Sequence, residues 1–446
     1  MKFVFRKYAV VALLFVFMVV NFADKAVLGI VGVPLMKDVG ITPQEFGYIA
    51  SSFFLLYSIS GIAFGFMANR VKSKYILLGL AAVWALTQFP VVFWPTVPIL
   101  VMSRMLLGAA EGPAYPVAVH AVYKWFPNDR RTLPTAVLSQ GAPVGVIIAA
   151  PLLAHLIARY SWHAAFIACG VLGLAWCVLW AFIGKEGGHG EPAVQPAGSV
   201  VEGSDEDGPR VPYSRLLLDP SLIGTVLATF AAFWILTVGL TWLPPYLEQG
   251  LGYVTVDMGW LIAVIVGANI PFQLGGSWLS QHLLVKKGVP SRLSRAVLMS
   301  GLIALGGVSL FAAMLLELGP VAKIVFLAIG CALPNIVFCI GPAIIGEFAP
   351  LRQRAGLLAI NSSVGTTAGL IAPTVTGWFV GAAGKANIAA GYANSYMFAG
   401  ALLVVFGLLG CLIIHPARSA ARIRRLSQGG QGGPIGARPT LPRVTM

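Results

Sequence analysis

Residues 8–35 read YAVVALLFVFMVVNFADKAVLGIVGVPL, an apolar run broken by one acid, Asp24, and one base, Lys25. Crossing the hydrocarbon core of a bilayer takes about 20 apolar residues, and this run exceeds that. Lys2, Arg6 and Lys7 precede it in the manner of a secretion signal. The apolar stretch is too long for a cleaved core, however, and holds a charged pair in its middle. It reads as a transmembrane helix, span 1.

The same pattern recurs along the chain. Apolar runs bounded by charge, Pro or Gly fall at 44–69, 75–95, 97–123, 133–157 and 162–184, and again at 221–246, 255–282, 295–316, 319–346, 353–380 and 391–414. Of the 446 residues, 58% are hydrophobic and 10% charged, against about 25% charged in a soluble domain. So few charges cannot cover a surface in water, and lipid must be the solvent. The predicted fold is an all-α integral membrane protein of twelve transmembrane helices in two six-helix halves. Residues 1–184 form the first half, 185–220 a polar linker, 221–416 the second half and 417–446 a disordered tail rich in Gly, Pro and Arg.

The net charge of +14 would suit a nucleic-acid partner, but its distribution argues against one. The cations sit in short clusters between apolar runs. With an inside N-terminus, 24 of the 30 Lys and Arg fall on the inside. That bias predicts a cell (inner or plasma) membrane protein with both termini and the linker in the cytoplasm. Cys169, Cys177, Cys331, Cys339 and Cys411 all lie within apolar runs without metal-ligand spacing, so no metal, cofactor or disulfide is expected. No enzyme is expected either. The sequence lacks a His-Glu-x-x-His motif and a nucleotide-binding Gly-rich loop with Lys-Ser/Thr, and its only mid-span Asp is Asp24.

Ionisable residues far from either membrane surface carry the functional signal. Span 1 has Asp24 and Lys25; span 4 has Arg104 and Glu111. A charge at mid-bilayer costs about 2.5–3.5 kcal/mol on the lenient insertion scale, so these four must face one another or a wet cavity. Arg104 and Glu111 are two helical turns apart and share a face, about 10 Å apart along the axis. A static ion-pair lock between the two helices would also account for the four charges, yet apolar packing would do that without desolvating charge. With both carboxylates ionised the set is neutral; with both protonated it is doubly positive, which suits binding an anion together with protons.

Neutral polar residues within spans are candidates for orienting a solute: Tyr57, Ser58, Tyr115, Gln140, Asn361 and Thr366. Each could instead make an interhelical hydrogen bond. Trp242 and Trp378, near span ends, read as members of the interfacial aromatic belt. Glu347, just before Arg352 and Arg354, is expected to serve as an ion pair on the cytoplasmic side, as a gate latch would. His120, His155, His163 and His282 fall near span ends, where structural roles are the simpler reading.

Several segments resemble the major facilitator superfamily. The loop after span 2, Gly65-Phe-Met-Ala-Asn69-Arg70-Val-Lys72-Ser-Lys74, is similar to its Gly, Asp-Arg, Gly, basic signature, with Asn69 in place of Asp and Lys72 in place of Gly. Gly275-Gly276-Ser-Trp-Leu-Ser280-Gln281 is a related segment in the second half. Within the superfamily the chain resembles the anion:cation symporters. The resemblance rests on Asn21-Phe-Ala-Asp24-Lys25, on Arg104-Met-Leu-Leu-Gly108-Ala-Ala-Glu111-Gly112 with Pro116, on Trp242-Leu-Pro-Pro-Tyr-Leu and on Asn361 through Pro373. Members of that family import sugar acids, other organic anions or aromatic acids with protons. The resemblance implies that Asp24 and Glu111 bind protons. It makes Lys25, standing where Arg is usual, and Arg104 anion contacts, and it puts Tyr57, Gln140 and Asn361 at the substrate.

The expected function is therefore proton-coupled import of a small organic anion by alternating access, with protons and membrane lipid as the other partners and a monomer as the unit. Proton antiport on the same scaffold would use the same carboxylates to export a solute. A non-transporting sensor would need a structured signalling domain, which the short linker and tail do not offer.

Overall fold

The structure, a computed structural model, describes residues 2–67, 71–126, 132–187 and 211–429. Twelve long helical segments match the twelve predicted runs. They are α1 (Lys2–Ile30), α2 (Pro43–Met67), α3 (Ser73–Phe93), α4 (Val97–Glu111 continuing as Ala114–Tyr123), α5 (Thr132–Arg159) and α6 (Trp162–Ile183). The second half has α7 (Pro220–Thr241), α8 (Thr255–Gly267 continuing as Asn269–Gln281), α9 (Leu298–Leu315), α10 (Pro320–Ala332 and Val337–Phe348), α11 (Leu351–Ala383) and α12 (Ile388–Ile413). Nine stretches among the described residues are long and apolar enough to cross a membrane. Of the others, α4 is broken at Gly112-Pro113 and carries two mid-span charges, Arg104 and Glu111.

Local chemistry starts and stops these helices. Thr42 and Glu45 form a capping box before α2: the Thr42 amide donates to Glu45 Oε2 at 2.7 Å, and the Glu45 amide donates to Thr42 Oγ1 at 3.2 Å. Asp219 caps α7 by accepting from the Ser221 amide at 2.9 Å, with Pro220 at the first helical position.

The halves meet through three helix pairings: α1 with α7, α2 with α11, and α5 with α8. Exchanging each helix for the one six later maps this set onto itself, as a two-fold relation between the halves requires. The joins are backbone-close. A Cβ on Gly29 would lie 2.1 Å from Leu240 O, on Gly47 2.6 Å from Pro373 O, and on Gly377 2.4 Å from Pro43 O. All three lie at the end of the molecule away from the termini, as does the hydrogen bond between Ser51 and Thr374 hydroxyls at 2.8 Å. Toward the termini, α2 and α11 turn their glycines to their own halves instead. Gly61 faces Gly112 O, and Gly365 faces the Phe233 ring. The halves are thus sealed at one end and part toward the other.

Two expectations need correction. Trp242 does not sit in an interfacial belt: it is fully buried, its ring edge-on to Phe46 at 5.0 Å and its Nε1 donating to Pro373 O at 3.0 Å, within the seal. The ion pair expected of Glu347 is present, with Arg295 as its partner, and Ser291 Oγ donates to Glu347 at 2.6 Å. The tail is helical over Pro416–Gly429. Pro416, Ser419, Ala420, Ile423 and Leu426 form its inner face at helical spacing, while Arg418, Arg422, Arg424 and Arg425 stay exposed. Ser419 Oγ donates to the Asp219 carboxylate at 2.7 Å. The linker is likewise held at both ends. Glu186 docks on Lys124, and the Val211 backbone pairs with the Gln353 amide at 3.2 and 2.7 Å. Residues 188–210 and 430–446, and Asn69 with Arg70 of the signature loop, lie outside the described residues.

Candidate functional site

The four mid-span charges of the first half converge. Asp24, Arg104 and Glu111 are all but inaccessible, at 0%, 2% and 1% exposure. Lys25 Nζ lies 3.3 Å from Glu111 Oε2 and donates to Asn21 Oδ1 at 2.8 Å, one helical turn back on α1. Its ammonium also sits over the Phe22 ring at 4.2 Å and the Tyr57 ring at 5.5 Å, both attractive placements for a desolvated cation.

A glycine pair brings α4 this close to α2. A Cβ on Gly108 would lie 1.8 Å from Phe53 O, and one on Gly112 2.0 Å from Tyr57 O. Gly108 and Gly112 are four apart, the spacing that lets membrane helices touch along their backbones. Glu111, on the same turn, is thereby pressed against α1 and α2.

Arg104 does not pair with Glu111, although the two share a helix. Its guanidinium donates to Gln88 Oε1 on α3 at 3.4 Å and stands 5.7 Å from the Phe166 ring centre. Asp24 lies within electrostatic reach of Glu111, Arg104 and Lys25, and the Cys169 thiol on α6 faces it. Among the described residues no donor meets hydrogen-bond geometry with either Asp24 oxygen, and Arg104 Nε, Asn21 Nδ2 and Gln88 Nε2 are also unbonded. Buried polar atoms are rarely left so. Their concentration here marks a site whose hydrogen bonds are completed by water, protons or a ligand.

Lys25 and Arg104 face a cavity of about 110 Å³ between the halves, with Phe22, Phe54 and Tyr57 on one side and Phe233 and Thr237 on the other. Asp24 and Glu111 lie behind its wall. A second cavity of about 290 Å³ shares Phe22, Leu236 and Leu240 with the first and is otherwise lined by α5, α7, α8 and α10. Lys25 and Arg104 thus line the cavity wall, with the carboxyl groups of Asp24 and Glu111 behind it.

The sequence-predicted residues divide accordingly. Asp24, Lys25, Arg104, Glu111 and Tyr57 come together. Gln140 is exposed and lines neither cavity. Asn361 is buried and accepts from Thr229 Oγ1 at 3.2 Å, joining α11 to α7. Tyr115 bonds Ser139 at 2.8 Å, between α4 and α5. Gln88 was not singled out by the sequence reading. Gln88 is a lone amide in an apolar run, and nothing in the sequence separates it from an amide that only joins two helices.

The sequence model of the Major Facilitator Superfamily matches residues 13–340. A probable sulfoacetate transporter of Cupriavidus necator is 28% identical to the chain, over 89% of this chain and 91% of that one. A hexuronate transporter of Bacillus subtilis is 27% identical, over 92% and 95%. The fold is similar to that of a bacterial homolog of the human lysosomal transporter Spinster in an inward-facing and occupied conformation, with a TM-score of 0.77, 14% identity, and coverage of 93% of this chain and 98% of that one.

Proposed function

The chain belongs to the Major Facilitator Superfamily, a multi-pass membrane transporter and not an enzyme, and we propose that it imports a small organic anion together with protons. The observation that carries this reading is the layered site: Lys25 and Arg104 at the cavity wall, with Asp24 and Glu111 buried behind them. The relatives named for sulfoacetate and hexuronate support an anionic substrate.

The chemistry follows from the Lys25–Glu111 pair. While Glu111 is ionised it holds the Lys25 ammonium, and an anion must compete with a carboxylate already in contact. Protonating Glu111 removes that competitor and leaves the cation free for the substrate. Arg104, hydrogen-bonded to a neutral amide, keeps its charge for the anion throughout. Asp24 is the second proton acceptor of the set. Anion and proton therefore favour each other's binding, which is the thermodynamic requirement for symport. Tyr57 and Phe22 flank Lys25 and narrow the approach to it.

With termini and linker in the cytoplasm, the sealed end faces outward and the cavities open inward, an inward-facing state. A cysteine at Gly203 should accept an impermeant label only from the cytoplasmic side; labelling from outside would invert the topology. Transport itself is tested in proteoliposomes. An inward proton gradient should drive accumulation of hexuronate or a comparable acid above its external concentration, and collapsing the gradient should abolish it. Accumulation that ignores the gradient would refute proton coupling.

A further inference from the structure

The outer wall of α8 ends in a group of polar side chains that the proposed transport site does not use. Trp260, Val264, Leu274 and Trp278 are exposed along this span, and an exposed apolar stripe on a transmembrane helix meets acyl chains. α8 starts at Thr255, at the end away from the termini. Trp278 comes about 23 residues later, about 35 Å along the helix. A hydrocarbon core is about 30 Å thick, so Trp278 stands at its edge nearer the termini, where tryptophans anchor spans. One turn on, the His282 ring stacks on Trp278 at 5.1 Å, and Lys286 follows on the same face.

The backbone adds further cations at this corner. Gly288, at φ 62°, turns the chain directly after Lys287. That turn brings Arg292–Val297, which leads into α9, against His282–Lys286, which ends α8. Both segments are wound as π-helix, a rare widening found most often at functional sites. Lys286, Lys287 and Arg292 are exposed, and none forms an ion pair among the described residues. The acid at the corner, Glu347, is already held by Arg295 and Ser291. Trp278, Gln281, His282, Val285 and Lys286 line a shallow groove of about 250 Å³.

We propose that this groove binds the headgroup of an anionic phospholipid of the inner leaflet. Lys286, Lys287 and Arg292 supply positive charge that no protein carboxylate neutralises. The Gln281 amide and the His282 ring can each donate to a phosphate oxygen. Trp278 and Leu274 continue the site into the hydrocarbon, where the acyl chains lie. The occupant has to be anionic at the lysines and apolar along the span, which a lipid is and a soluble anion or acidic peptide is not. The groove shares no residue with either cavity between the halves, so it stands or falls apart from the transport reading.

The test reads the lipids around Trp278 by fluorescence quenching, in phosphatidylcholine vesicles that hold the full chain and a small fraction of brominated lipid. The Trp278 signal is the difference between the parent and Trp278→Phe. Brominated phosphatidylglycerol should quench it as though enriched at least about fivefold over brominated phosphatidylcholine at the same fraction. Lys286→Gln, Lys287→Gln and Arg292→Gln combined should remove that enrichment. Lys72→Gln with Lys185→Gln, which removes exposed cations of the first half, should leave it in place. All five side chains are exposed, so thermal unfolding of both variants should match the parent. Equal quenching by the two lipids in the parent would overturn the proposal, as would an enrichment that survives the triple variant. An equal loss in the Lys72 and Lys185 variant would overturn it too, by tracing the enrichment to the diffuse charge of the inner surface.

Discussion

The two halves place polar groups at equivalent breaks in their helices, yet one half is charged there and the other is neutral. Among the described residues, Asp24, Arg104 and Glu111 are the deeply buried charges within spans, and all are in the first half. The second half offers Asn269, Gln273, Asn335 and the Thr229–Asn361 hydrogen bond. A buried charge is expensive and changes with protonation; a buried amide is cheaper and does not titrate. The contrast separates two tasks. On the proposed function, ion coupling belongs to the first half, and the second contributes groups that do not titrate.

The largest effect should come from removing the cation that no carboxylate contacts. Arg104→Ala should weaken anion binding by about 100-fold or more, measured by equilibrium binding to purified protein, while a change confined to stability would favour a mere structural lock. Close behind stand Asp24→Asn and Glu111→Gln, which imitate permanent protonation. Both should lose accumulation driven by a proton gradient, and at least one should keep counterflow exchange, which needs no net proton release. If all three variants insert poorly or aggregate alike, the charges serve only to hold α1 to α4.

A smaller effect tests how the charged site is built. Gly112→Ala would set a methyl group 2.0 Å from Tyr57 O, forcing α4 from α2 at a cost of about 1–3 kcal/mol. Thermal unfolding should show that loss, with weakened transport as Glu111 leaves Lys25. In the second half, Asn361→Ala breaks one interhelical bond and should cost about 0.6 kcal/mol, with proton coupling intact. A coupling defect there would dissolve the contrast between the halves.

The smallest effect lies at the inner surface. Burial alone would raise the Glu186 carboxyl, but the Lys124 ammonium and the amides of Ser73 and Lys74 outweigh it and hold it below the ordinary range. A carboxyl so depressed contributes stability above its unfolded value, and that contribution fades as pH falls through the folded one. Glu186→Gln should therefore lower the melting temperature by about 1–2 °C near neutrality and by less in acid. An equal drop at both would mean the charge is not what holds the linker.

Much of this was legible in the sequence because a bilayer leaves little choice. Apolar runs of span length, and charges inside them, stand out wherever they occur. Asp24, Lys25, Arg104 and Glu111 were found that way. Their pairing was not. Spacing puts Arg104 and Glu111 on one helix face, but the glycines at 108 and 112 decide which neighbour each meets, and that depends on how α2 and α1 pack. Asn335 and Asn269, bonded to each other at the breaks in α10 and α8, escaped notice because a neutral amide in a span reads the same whether or not the helix is broken there. Pro334 and Ala268 read alone as ordinary span residues. Composition alone misleads over Pro416–Gly429 of the tail. Its arginines read as solvated chain, yet Ser419, Ala420, Ile423 and Leu426 recur at helical spacing and dock on the second half.

The central claim is that protons travel with the anion through Asp24 and Glu111. The most direct measurement seals a pH dye inside proteoliposomes and adds the substrate anion outside. The parent should acidify the lumen in step with anion entry, while Glu111→Gln should pass the anion in exchange mode with no change in luminal pH. Anion accumulation by the parent at constant luminal pH, or acidification that persists with Asp24→Asn and Glu111→Gln combined, would contradict the account.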